Sequence, residues 1–155
     1  MEIRFANPND TDGILELLRQ VGQVHHEGRP DIFRAGAQKY NARQVQELMK
    51  TPDVVIFVAA EEEQVLGYCF CFVKKHENDS VLCDRTELYI DDLCIDQKQR
   101  GTGIGKSLYE AACAYAKERS FHSVTLNVWC CNPGAMAFYE KLGMKPQKIG
   151  MENVL

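Results

Sequence analysis

Strand-period and helix-period segments alternate at short spacing along the chain, without internal repeats or linkers, which predicts one mixed α/β (α+β) domain. Ile3 and Phe5 alternate with polar neighbours and predict a first strand. Asn7-Pro8 reads as an N-cap followed by proline at the first helical position, with Ile14, Leu17, Leu18 and Val21 forming one apolar stripe behind it. The stripe predicts a first helix of about four turns. Gly22 to Lys39 has no clear period and carries Pro30 and the polar string His25-His26-Glu27-Gly28-Arg29, so it reads either as a functional loop or as a short helix plus turns. Val45, Leu48 and Met49 define a second helix ending near Thr51-Pro52. Val54 to Ala60 and Val65 to Val73 are β-branched and aromatic runs joined by Glu61-Glu62-Glu63-Gln64, an antiparallel hairpin.

The next strand, from about Cys83 to Ile95, is more informative. Its apolar positions Leu82, Leu88 and Ile90 are even-numbered, whereas Leu93 and Ile95 are odd, so the inward parity shifts across Asp91-Asp92. One inserted residue there, a β-bulge, keeps both halves facing the core. Ile104, Leu108, Ala111 and Tyr115 then predict a third helix to about Arg119, and Ser123 to Trp129 a fifth strand. Asn132-Pro133 repeats the cap-then-proline signature, with Ala137, Phe138 and Leu142 expected to face inward and Gly143 closing the helix. A last strand is expected from Pro146 toward Leu155.

Composition narrows the class of partner. Hydrophobic residues make up 45% and charged residues 26% of the 155, ordinary for a folded domain. A net charge of −4 has the wrong sign for blanket neutralisation of phosphates, so no nucleic-acid partner is expected. The start, Met1-Glu2-Ile3-Arg4-Phe5, lacks the basic and apolar regions of a secretory signal, and the longest purely apolar run, Val54 to Ala60, is too short to span a bilayer. A cytoplasmic protein without membrane contact is expected. The 7 cysteines include no CxxC pair, which favours reduced, mostly buried thiols, and no metal site is expected.

The strongest chemical signal is Arg100-Gly101-Thr102-Gly103-Ile104-Gly105-Lys106, placed between a long strand and a helix. Glycines let a backbone approach a ligand, and the free N–H groups and dipole of the following helix attract anions. Lys106 strengthens the reading, because a cation in the first turn opposes the dipole unless an anion sits there. The Walker A spacing fails, since Arg100 stands where its first glycine belongs; the dinucleotide fingerprint starting at Gly101 fails, since Lys106 stands at its last glycine. The pattern [QR]-x-x-G-x-[GA] is met by Arg100, Gly103 and Gly105. With it, Asn132-Pro133-Gly134-Ala135-Met136-Ala137-Phe138-Tyr139-Glu140-Lys141-Leu142-Gly143-Met144 resembles the later N-x-x-A-x-x-F-Y-x-K-x-G-F segment of the GNAT N-acetyltransferase superfamily, Met144 replacing the usual Phe.

That resemblance implies a mixed, mostly antiparallel sheet of six or seven strands with about four helices, strands four and five splayed apart, and acetyl-coenzyme A as cosubstrate. It implies that Arg100, Gly101, Thr102, Gly103, Ile104, Gly105 and Lys106 hold the cofactor's diphosphate. Leu93, Cys94 and Ile95 would meet its pantetheine arm, with the Cys94 N–H near the thioester carbonyl and Asn132 contacting the cofactor besides capping its helix. Tyr139 matches the family's general acid. Asp91-Asp92 resembles the acidic pair of polyamine acetyltransferases, and either residue, directly or through water, would accept the amine proton. The acceptor is a primary amine of a small molecule or a protein, shaped largely by Gly22 to Lys39, where Arg29, Asp31 and Phe33 are candidates for contact. Homodimers are a frequent assembly among relatives. An acyl-coenzyme A binding or sensing module that performs no transfer is the competing expectation, and a nucleotide-binding protein a third.

Overall fold

Neighbouring residues of the central strands are buried in opposite directions, which a sheet covered on both faces requires. The computed structural model describes residues Met1–Leu155. It contains β1 (Glu2–Phe5), a 3-10 turn (Pro8–Asp10), α1 (Thr11–Gly28), α2 (Ala42–Leu48), β2 (Val54–Glu61), β3 (Gln64–His76), β4 (Arg85–Ile95), α3 (Ile104–Glu118), β5 (Ser123–Leu126) and α4 (Pro133–Lys141). The sheet order is β1-β2-β3-β4-β5, antiparallel throughout except for the parallel β4–β5 pair. Val55, Phe57, Cys69, Leu88 and Ile90 pack on one face with Ile104, Leu108 and Ala112 of α3. On the other, Ile56, Val58, Tyr68, Phe70 and Cys94 pack with Ile14, Leu17 and Leu18 of α1 and Val45 of α2. Leu108, fully buried, contributes about 1.5–3 kcal/mol of transfer free energy on its own.

The bulge predicted from parity is present. Ile90 opposes Cys71 and Asp92 opposes Phe70, so Asp91 is the surplus residue. Leu93 and Ile95 thereby rejoin Leu88 and Ile90 on the α3 face, while Cys94 turns to α1.

Several expectations are corrected. The sheet has five strands, not six or seven: residues beyond Lys141 form no further strand, and Ile149 and Met151 of the expected last strand are 76% and 89% exposed. That tail is tied back through Glu152, whose Oε2 accepts from Arg29 Nη2 at 3.1 Å. The region from Gly22 is helical as far as Gly28; Gly22 is tolerated because the Ala37 carbonyl oxygen fills the space of a Cβ, 2.6 Å from where one would stand. β5 ends at Leu126 rather than Trp129, because its pairing with β4 stops at Ile90, next to the bulge. β4 begins at Arg85, leaving Leu82 and Cys83 exposed, and Ala137 faces solvent. Only Cys69, Cys71 and Cys94 are buried, and Cys83, Cys130 and Cys131 are exposed.

The entry to α1 is held by charge. Asn7 Oδ1 accepts from the Asn9 N–H, the Asn7 N–H donates to Asp10 Oδ2 at 2.8 Å, and Arg4 donates to both Asp10 oxygens at 2.7 and 2.8 Å. Burial works against the Asp10 carboxylate, but the Arg4 and Asn7 hydrogen bonds outweigh it and hold its pKa below the ordinary value. A carboxyl depressed in the folded state contributes stability that is complete above the unfolded value near about 3.9 and lost as pH falls through the folded value. Thermal melts between neutrality and about pH 3 should therefore show an acid limb that shrinks in Asp10→Asn, a variant less stable at neutral pH. An unchanged acid limb would remove Asp10 from this role.

Candidate active site

The segment joining β4 to α3 folds into a turn through Thr102 Oγ1, which donates to the Gln99 carbonyl at 2.6 Å. Gly101 and Gly103 have φ of 81° and 92°, and nothing lies within 4 Å of where a Cβ would stand on either. Both are therefore glycine for backbone conformation, and both border open space. Gly105 differs: a Cβ there would stand 3.1 Å from Phe138 Cζ of α4, so this glycine is a packing contact. The first main-chain bond of α3 runs from Ser107 N–H to Gly103 O at 3.1 Å, and no amide from Arg100 to Lys106 donates to an acceptor within the chain. Such a run of unpaired donors at a helix start is able to receive an anionic group. Arg100 is exposed beside it, while Ile104 is buried and anchors the helix. Lys106 has a partner of its own, Glu110, with Nζ 3.7 Å from Oε1, so its position in the first turn is not by itself a sign of a bound anion.

The strand leading into this turn is open on one side. Pairing with β5 ends at Ile90↔Leu126, leaving Asp91 to Ile95 without a neighbour there, which is the splay expected between strands four and five. The Asp96 N–H donates to Leu66 O at 2.9 Å directly across the β3–β4 ladder. Antiparallel alternation makes Tyr68–Cys94 the next hydrogen-bonded pair and turns the main-chain groups of Leu93 and Ile95 toward the gap. The Cys94 N–H is thus spent on β3, which corrects its expected position at a thioester carbonyl. Its thiol lies 3.5 Å from Leu17 O, and burial pushes it up to about 12.

Asp91 and Asp92 both project on the α1 face. Tyr68 O–H donates to Asp92 Oδ2 at 2.7 Å, and Lys39 Nζ donates to Asp91 Oδ2 at 2.5 Å, with Tyr40 O–H at 3.4 Å from the same oxygen. Asp92 keeps some accessible surface, but its carboxyl is heavily desolvated; this raises its pKa above the usual carboxylate value against the opposing Tyr68 hydrogen bond and the charges of Lys39 and His25. The end of α1 and the segment after it wall this face. His25 stacks on Phe33 at 4.8 Å, Phe33 meets Trp129 edge-on at 5.0 Å, and His26 Nδ1 lies 2.8 Å from Phe33 O. Arg29 and Asp31 pair with each other.

Tyr139 lies on the opposite, α3 face. Its ring is 6.4 Å from Tyr109 of α3, and its neighbour Phe138 packs on Gly105. Burial raises the Tyr139 phenol far above its ordinary pKa, with Cys69, Asp92 and Cys71 adding to the effect. Asn132 caps α4, its Oδ1 accepting from the Ala135 N–H at 3.1 Å. Tyr68, Lys39 and Tyr40 are the members of this cluster that sequence reasoning missed. Strand parity carried a signal for Tyr68, which is two residues from Phe70 and shares its face; the other two sit in a stretch without a period.

A mixed sheet in this order, losing its β4–β5 pairing just before a glycine turn and helix, points to an acyltransferase of the GNAT type. The sequence profile of the Acetyltransferase (GNAT) family matches residues 21–144, and the chain belongs to that family. N-acetyltransferase MJ1207 of Methanocaldococcus jannaschii, described as uncharacterised, is 29% identical over 147 residues, 95% of this chain and 62% of its own length. The chain thus spans less than two thirds of that relative. A mutant of the BH1408 protein from Bacillus halodurans is 33% identical, with a TM-score of 0.96 over 100% of this chain and 99% of that one. The aminoglycoside N-acetyltransferase AAC(6')-Iy, solved in complex with CoA, shares the fold at 12% identity, with a TM-score of 0.73 over 99% of this chain and 98% of its own. No helix is long and apolar enough to cross a membrane, and no group of three or more His, Cys, Asp or Glu side chains is placed to hold a metal ion.

Two consequences can be measured. A positive φ costs an L residue roughly 1–2 kcal/mol, so Gly103→Ala should weaken coenzyme A binding about tenfold in calorimetry, and unchanged affinity would mean the turn tolerates other conformations. Asp92, raised in the folded state, binds its proton more tightly there than when unfolded, so it costs stability as pH rises through its folded pKa. Asp92→Asn keeps an acceptor for Tyr68 and removes the charge, so its melting temperature at neutral pH should exceed the parent's. A lower one would contradict the penalty.

Proposed function

We propose that the chain transfers an acetyl group from acetyl-coenzyme A to a cationic primary amine, by direct attack with both substrates bound. One arrangement carries the reading: the unsatisfied amides from Arg100 to Lys106 continue into the open edge at Leu93 and Ile95, with two carboxylates on one side of the break and Tyr139 on the other. When bound, acetyl-coenzyme A supplies an acyl group activated as a thioester. The amides of the turn, with Arg100 at its rim, hold the diphosphate, and the gap between β4 and β5 receives the pantetheine arm.

Asp91 and Asp92 give the α1 face a negative field that draws an ammonium ion in. The amine must then lose a proton before it attacks. Asp92 suits that step because desolvation makes it a stronger base than a surface carboxylate. Main-chain N–H groups of Leu93 or Ile95 are available in the gap to stabilise charge developing on the carbonyl oxygen. Tyr139 donates a proton to the departing sulfur; its raised pKa keeps it protonated, and the same dry surroundings raise the thiol that receives the proton. Tyr40 offers aromatic surface beside Asp91, suited to the apolar or cationic body of an acceptor. The acceptor class is therefore a small cationic amine or a protein amine; the aminoglycoside enzyme that shares the fold belongs to the same chemistry.

Incubation with acetyl-coenzyme A and a panel of amines, followed by release of free thiol, tests the reading. Tyr139→Phe should fold, bind coenzyme A with parental affinity and lose about 10²–10⁴-fold in kcat, the range of one general acid. Parental turnover would take Tyr139 out of the proton transfer. Tight binding of coenzyme A with no thiol release from any amine would leave a binding module in place of an enzyme.

A further inference from the structure

Lys39 ends the segment between α1 and α2, and its side chain reaches across to the bulge. Its ammonium rests on Asp91 Oδ2 at 2.5 Å and 5.6 Å from the centre of the Tyr40 ring, which itself stacks on Phe70. The side chain is 45% exposed against 19% for Asp91, so the amine comes from the solvent side and covers the carboxylate. A primary amine that is part of the chain thus rests on one of the two carboxylates that the proposed reaction sets around the acceptor's amine. The other internally paired lysines, Lys75 with Asp53 and Lys106 with Glu110, lie on different carboxylates.

We infer that Lys39 is a self-acetylation site: in the absence of an acceptor its side chain takes the acetyl group from bound acetyl-coenzyme A, and the modified residue releases Asp91 for an external amine. The inference rests on the acetyl-coenzyme A reading above. The step balances without any further reactant. Asp91 takes one proton from the Lys39 ammonium, and the freed lone pair on Nζ forms a bond to the acetyl carbon. The carbon–sulfur bond breaks with its electrons on sulfur, and the thiolate takes a proton from Tyr139; the second proton that the nitrogen loses as the amide forms passes through water to restore the Tyr139 phenol, and Asp91 returns its own proton to solvent. The products are Nε-acetyllysine and coenzyme A. The amide left at Lys39 carries no charge, so its attraction to Asp91 is lost and the face regains its full negative field.

Selectivity at this residue is informative because uncatalysed acylation disfavours it. Thioesters acylate unprotonated amines, and the Lys39 pKa is raised: burial works to lower it, but Asp91 prevails. Lys145 and Lys148, exposed on the tail, should react first if no catalysis is involved.

The experiment incubates the full chain with acetyl-coenzyme A alone and follows intact mass and peptide maps with time, coenzyme A binding being measured separately by calorimetry. Expected are one acetyl group appearing at Lys39 ahead of Lys145 and Lys148, a rate per molecule that does not depend on protein concentration, and one acetyl group fewer in Lys39→Arg. Lys39→Gln, which imitates the modified side chain, should raise kcat/KM for small cationic amines several-fold. Coenzyme A binding with Lys39 unmodified, or modified no faster than Lys145 and Lys148, would overturn the inference and leave the transferase reading standing. Absence of coenzyme A binding would overturn both.

Discussion

An antiparallel strand sends successive side chains to opposite faces, so β4 can bury Leu88 and Ile90 together with Leu93 and Ile95 under α3 only by carrying a surplus residue. Asp91 is that residue, and much of the local architecture follows from it. Parallel pairing with β5 ends one position earlier, at Ile90. Two successive aspartates are delivered to the same face, where Tyr68 and Lys39 meet them. Beyond them, the ladder alternation leaves Leu93 and Ile95 with main-chain groups and no strand to receive them. One geometric irregularity thus accompanies a gap, an acidic pair on one face and a row of unused amides.

The same arrangement sets stability against function. A desolvated carboxylate at Asp92 and a buried phenol at Tyr139 both shift in the direction that burial dictates, toward their neutral forms. The two hydrophobic clusters offset these terms, which is consistent with the site lying along a seam between well-packed faces rather than within one of them.

How much of this was legible in the chain depended on whether a rule of local geometry acted. The bulge could be read because parity is a counting argument, and the turn because glycines at Gly101 and Gly103 answer to a backbone conformation that other residues avoid. Of the two proline-led starts, Asn132 caps α4 as read, whereas Asn7 caps a 3-10 turn and α1 itself begins three residues later than Pro8, at Thr11. The extension of α1 was hidden because Gly22 looks like a helix breaker until the Ala37 carbonyl is packed against it. The strand expected from Pro146 toward Leu155 is absent because nothing pairs with the segment, which leaves Ile149 and Met151 exposed. Lys39 was hidden for the same kind of reason: it meets Asp91 across 52 positions of sequence, and no periodicity reports a contact of that separation. The Cys94 assignment failed because which edge a strand residue serves is fixed by hydrogen-bond phase, and residue identity carries no record of phase.

Asp92 and Tyr139 stand on opposite faces of one sheet, which loses its β4–β5 pairing beyond Ile90. A site served from two sides has traffic rules unlike those of a blind pocket. On the proposed reaction, the amine would come and go on the side beneath α1 and the nucleotide-bearing partner on the side beside α3, so neither would have to vacate for the other to exchange. Inhibitors aimed at the two sides would then bind together rather than compete, and one molecule long enough to reach both would gain from both.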